Sequence, residues 1–133
     1  MIVLDASVVF KWFQEEEGSE RALKFEDSHI KGEENVIAPD LLFYEITNIL
    51  RYQKGITPEI VDDTLGILEK IEIQTFVFSP SELKGVYRFA HVHEISVYDA
   101  MYAVLAQRLE CTFVTADKKL HQKLSSCRWV RLL

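Results

Sequence analysis

Met1-Ile2-Val3-Leu4-Asp5-Ala6-Ser7 opens the chain with an apolar run closed by an acid. Consecutive apolar residues without polar alternation predict a strand buried on both faces, the mark of a parallel sheet. Cys111-Thr112-Phe113-Val114-Thr115-Ala116-Asp117 repeats the arrangement: β-rich residues, then a carboxylate. Outward from these two runs lie three more, Val36–Ala38, Gln74–Phe78 and Trp129–Leu132.

Helical periodicity fills the intervals near 18–31, 39–54, 58–70, 80–92, 97–110 and 118–125. Ser79-Pro80-Ser81-Glu82 supplies a cap, a first-turn proline and a capping-box glutamate. Thr57-Pro58 and Pro39 predict two further helix starts, and Ser96 with Asp99 has capping-box spacing. Strands alternating with helices predict an α/β fold, with a central parallel sheet of about five strands between two helical layers. Right-handed crossovers place every strand C-terminus on one edge, where ligands bind near the switch in strand order. Asp5 and Asp117 both fall on that edge, and the helix after Pro39 carries Glu45.

With 133 residues and no interdomain linker, the chain is expected to form one domain spanning 1–133. No apolar stretch approaches the roughly 20 residues of a membrane span. The strand-like start without a basic flank predicts no secretory signal, and Cys111 and Cys127 read as reduced thiols of a cytoplasmic protein. A net charge of −6 argues against a generally basic nucleic-acid-binding surface. Nucleic acid must then meet local cations, with Lys11, Arg51, Lys54, Lys118, Lys119 and Lys123 as candidates.

Four acids sit in apolar surroundings: Asp5, Glu45, Asp99 and Asp117. Singly, each has a plainer reading. Asp5 and Asp117 suit helix N-caps, Asp99 a capping box with Ser96, and Glu45 the polar side of a helix. Leu41, Leu42, Ile46, Ile49 and Leu50 leave that last helix little polar surface, so Glu45 and Asn48 are expected to face a pocket. Caps require acids but do not require them all at one sheet edge. At an effective dielectric of about 20, charges about 4 Å apart interact by about 4 kcal/mol. Converging carboxylates therefore call for a cation, and hard oxygen donors suit Mg2+ or Mn2+. Ser7 and Thr115 offer hydroxyls beside Asp5 and Asp117. His91 and His93 lack a third zinc-type ligand and read as surface residues. Tyr44, Tyr98, Tyr102 and Trp12 are core by default, though one or two could stack on nucleotides.

Ile2-Val3-Leu4-Asp5-Ala6-Ser7-Val8-Val9, Pro39-Asp40-Leu41-Leu42-Phe43-Tyr44-Glu45, Ser96-Val97-Tyr98-Asp99-Ala100-Met101-Tyr102 and Phe113-Val114-Thr115-Ala116-Asp117 together resemble the PIN-domain family, particularly its VapC-type toxin ribonucleases. The resemblance implies a three-layer α/β/α sandwich and an acidic quartet at Asp5, Glu45, Asp99 and Asp117. It places the family's Ser/Thr helper at Thr115 and its accompanying polar residue at Asn48; Ser7, beside Asp5, and the basic Lys118 read from the sequence itself as supporting or substrate-facing groups. It further implies Mg2+ (or Mn2+)-dependent RNA hydrolysis, a small VapB-type antitoxin and a homodimer. The competing expectations are a catalytically silent binding module of the same fold, and an RNA-processing nuclease without an antitoxin.

Overall fold

A computed structural model describes residues 1–133. The five apolar runs are strands: β1 (Ile2–Leu4), β2 (Val36–Pro39), β3 (Gln74–Phe76), β4 (Thr112–Thr115) and β5 (Val130–Leu132). They form one sheet in the order β3-β2-β1-β4-β5, every pairing parallel. The helices are α1 (Ala6–Val9), α2 (Ser19–Ile30), α3 (Leu41–Tyr52), α4 (Pro58–Ile71), α5 (Pro80–His93), α6 (Val97–Arg108) and α7 (Lys118–Lys123). A 3-10 turn, Phe10–Trp12, extends α1.

From β1 the chain steps outward through β2 to β3, then returns across the sheet to β4 and β5. Right-handed crossovers put α2, α3 and α4 on one face and α5, α6 and α7 on the other. The expected sandwich is thus observed. Its switch in strand order lies between β1 and β4, so the C-terminal ends of those two strands diverge into a crevice. The core on both sides of β1 is complete: Val3, Leu4, Val8, Val9, Leu42, Ile46, Leu105 and Phe113 are buried. Truncating one such leucine to alanine costs about 2–5 kcal/mol.

Local chemistry accounts for the boundaries. Ser79 and Glu82 form the reciprocal capping box at α5, and Thr57 caps α4 ahead of Pro58. Three expectations need correction. Pro39 does not open α3; it ends β2, because the Asp40 N–H still donates to the Phe76 carbonyl and extends the ladder by one residue. Strand β3 stops at Phe76 rather than Phe78, where the Phe78 ring turns in to pack edge-on against Phe76 at 4.9 Å. Tyr44 and Tyr98 are exposed, at 69% and 61%, whereas Tyr102 and Trp12 are core residues as expected. Helices α4 and α5, and the turn after α6, close on left-handed glutamates: Glu72 (φ 56°), Glu94 (φ 53°) and Glu110 (φ 51°).

Candidate active site

Each acid reaches the crevice by a different route. Asp5 is the residue after β1 and the N-cap of α1, its Oδ1 accepting the Val8 N–H at 3.2 Å. Ser7 donates its hydroxyl to the same oxygen at 2.5 Å and accepts the Ala116 N–H at 2.8 Å, tying the ends of β1 and β4 together. Asp117 caps α7, with Oδ1 accepting the N–H groups of Lys119 and Leu120 at 2.8 and 3.0 Å. Asp99 takes the Ser96 hydroxyl on Oδ2 at 2.7 Å, and the Ser96 oxygen accepts the Asp99 N–H at 3.0 Å. This is half of the expected capping box: the carboxylate receives a hydroxyl instead of a backbone amide. Glu45, on α3, accepts the Tyr102 hydroxyl on Oε2 at 2.5 Å.

A common pattern emerges. Every one of the four carboxylates has one oxygen held by the protein and one with no hydrogen-bond partner. None of them pairs with a lysine or arginine. A few acids elsewhere do pair: Glu16 binds Lys11, Asp27 binds Lys31 and Glu82 binds Arg108. The four line one cleft of about 280 Å3 together with Ser7, Asn48 and Tyr102, over apolar Ala6, Ile49 and Leu120. They share the cleft without three of them closing on a single point.

The electrostatics carry the same signature. Burial pushes the Asp5 carboxyl up to about 6; the hydroxyls of Ser7 and Thr115 and the Val8 N–H hold it back, and the charge of Glu45 raises it further. Burial also raises Glu45, the Tyr102 hydrogen bond opposes this, and Asp99 adds to it. Desolvation, then the charge of Glu45, keeps the Tyr102 phenol protonated far above its ordinary range. Unsatisfied negative charge in a half-enclosed hollow is what a hard divalent cation relieves, and four unheld carboxylate oxygens are suitable donors. The donor set therefore fits Mg2+ or Mn2+.

The remaining expectations divide. Ser7 and Asn48 line the cleft, Asn48 exposed and without a side-chain hydrogen bond. Thr115 is fully buried behind it, its Oγ1 accepting the Asp117 N–H at 3.0 Å and lying 3.4 Å from the Ser7 hydroxyl. Lys118 faces a separate hollow with Lys11, Gly18 and Arg21. Lys11 is committed to Glu16, and Lys123 to the Glu94 carbonyl. His93 stands 3.9 Å from the Cys127 sulfur, away from the acids. Sequence reasoning missed the Tyr102 hydroxyl as a partner of Glu45. The available signal was its spacing of three from Asp99, which puts both on one face of α6.

Comparison with known proteins agrees with this construction. The PIN domain family model matches residues 2–124. Ribonuclease VapC3 of Pyrobaculum aerophilum is 31% identical over 130 residues, covering 92% of this chain and 93% of that protein. Among solved structures, PAE2754 from Pyrobaculum aerophilum superposes with a TM-score of 0.70 at 24% identity, over 98% of this chain and 87% of its own. FitAcB from Neisseria gonorrhoeae gives 0.67 at 18% identity, over 100% and 96%. Those two likenesses concern the fold alone. A family match over almost the whole length, joined to a close relative of equal size, assigns the chain: it belongs to the PIN domain family.

Proposed function

We propose that this protein is a divalent-metal-dependent ribonuclease of the VapC type, the toxin of a toxin–antitoxin pair, acting in the cytoplasm as a single nuclease domain over 1–133. The observation that carries the reading is the quartet of acids at the sheet's switch point, each with one held and one unheld oxygen and none with a cationic partner. The similarity to Ribonuclease VapC3 supports RNA as the substrate. No helix is long and apolar enough to cross a membrane.

Asp5, Glu45, Asp99 and Asp117 are the groups that would hold Mg2+ or Mn2+, which when bound would supply charge neutralisation at the phosphate and a more acidic water. The protein's own contribution is positional. Ser7 and the Val8 N–H fix Asp5, Ser96 fixes Asp99, the first turn of α7 fixes Asp117, and Tyr102 fixes Glu45. Asn48, one turn beyond Glu45, presents an amide that can donate to a phosphate oxygen. Thr115 acts from behind, holding the Asp117 backbone and flanking Ser7. Lys118 lies at the start of α7, outside the cleft, where it meets the strand beyond the reacting phosphate.

A small VapB-type antitoxin is the proposed controlling partner, and the active species is a homodimer with two acidic grooves flanking one backbone. The deciding experiment is cleavage of single-stranded RNA with Mg2+, with EDTA and with the Asp99→Asn variant. Cleavage should require Mg2+ and vanish in the variant while its circular dichroism stays unchanged. Full activity of Asp99→Asn at saturating Mg2+ overturns the assignment.

A further inference from the structure

The acidic cleft has no lysine, arginine or histidine in its lining, and the protein carries a net charge of −6. Most proteins hold RNA by neutralising its phosphates with lysine and arginine, and that source of affinity is weak here. The residues preceding two of the cleft acids offer something else. Glu45 is preceded by Tyr44 on α3, and Asp99 by Tyr98 on α6. These tyrosines belong to opposite helical layers and lie near the N-terminal ends of their helices, each one residue from an acid that lines the cleft. Their side chains are 69% and 61% exposed, and neither stacks on another aromatic ring. Two large rings left in water, each next in sequence to a cleft acid, are surfaces on which unpaired bases can stack.

Resting on the ribonuclease reading, we infer that Tyr44 and Tyr98 are stacking platforms for bases on either side of the scissile phosphate, so that the RNA is held more by base stacking than by charge. In a duplex the bases are already stacked and paired with one another, so a double-stranded segment cannot engage either ring. Stacking tolerates every base, because each has a flat face. Affinity then depends only shallowly on salt, unlike that of a basic RNA-binding protein.

The test uses the full chain carrying Asp99→Asn, so that RNA is not cut, with Mg2+ and a fluorescein-labelled single-stranded RNA followed by anisotropy. Tyr44→Ala and Tyr98→Ala should each weaken binding by about tenfold or more. Tyr44→Phe and Tyr98→Phe should bind as the parent does, since the ring and not the hydroxyl makes the contact. An RNA made abasic at the central positions should bind weakly, and equally to parent and alanine variants. The slope of log affinity against log salt should stay below about 2 in magnitude. In the Asp99-intact protein, the alanine variants should raise KM more than they lower kcat.

Alanine variants that bind intact RNA as the parent does overturn the inference, while Mg2+-dependent cleavage by the Asp99-intact protein leaves the ribonuclease reading standing. Absence of both binding and cleavage overturns both. Light scattering accompanies the assay: if Tyr44→Ala or Tyr98→Ala turns a dimer into a monomer, the rings are a protein–protein contact and the inference fails.

Discussion

The hydroxyl of Tyr102 lies 2.5 Å from the carboxylate of Glu45, joining α6 on one face of the sheet to α3 on the other, across the acidic cleft. The tyrosine is 1% exposed and its ring stacks on Phe113 of β4 at 5.9 Å, so the donor is fixed by the core itself. Tyr102→Phe removes that donor and preserves the stacking. Hydrogen bonds to charged groups contribute about 1.5–3 kcal/mol, and the expected consequence is a Mg2+ requirement for cleavage raised roughly tenfold. Titration calorimetry with Mn2+ checks the same loss without relying on turnover; an unchanged ion affinity refutes it.

Asp5 limits stability at neutral pH. Its folded pKa of about 6 lies above the ordinary 3.8, so the folded state binds the proton more tightly than the unfolded chain. The sign follows: the contribution is fully present below pH 3.8 and is lost as pH rises through about 6. At about 1.4 kcal/mol per pKa unit, the cost at pH 7 is on the order of 3 kcal/mol. Asp5→Asn keeps an acceptor for Ser7 and Val8 but carries no charge. In EDTA it should melt several degrees above the parent at pH 7, with the gap closing at pH 4, and it should not cleave RNA.

Divalent ions should do for the parent what the Asn variant does by substitution. Mg2+ or Mn2+ at millimolar concentration should raise the melting temperature at pH 7, following the linkage between binding and stability. Glu45→Gln and Asp99→Asn should each reduce that rise. A full-sized rise in both variants places the ion elsewhere.

The left-handed glutamates closing α4 and α5 offer a stability gain remote from the site. A side chain in that backbone region costs about 1–2 kcal/mol relative to glycine, and an acid there also opposes the helix dipole. Glu72→Gly and Glu94→Gly should each stabilise by roughly 0.5–1 kcal/mol in urea denaturation, after the larger unfolded-state entropy of glycine is subtracted. Activity should be unaffected. Lys123 bonds the backbone carbonyl of Glu94, so that contact survives the change.

Sheet and cleft were legible for a shared reason. Buried parallel strands are continuous apolar runs, and an acid directly after one must stand at the C-terminal edge, as Asp5 and Asp117 do. Glu45 was legible because α3 has too few polar positions to leave it idle. What stayed hidden depended on position along a helix. Tyr98 and Tyr102, four apart, share one face of α6, so periodicity could not tell that Tyr102 is covered by the core and reaches Glu45 while Tyr98, in the first turn, faces water. Thr115 and Lys118 show the limit at closer range. Strand alternation buries the threonine behind the cleft, and the first turn of α7 carries the lysine into the neighbouring hollow.

One oxygen of every cleft acid is clamped by amide or hydroxyl groups that owe nothing to a ligand. Positioning of the acids therefore rests on the protein's own hydrogen bonds, and chelation should leave a folded, inactive protein instead of a collapsed one. Readdition of magnesium should then restore turnover within the mixing time, with no refolding lag, the ion being required for activity and not for folding.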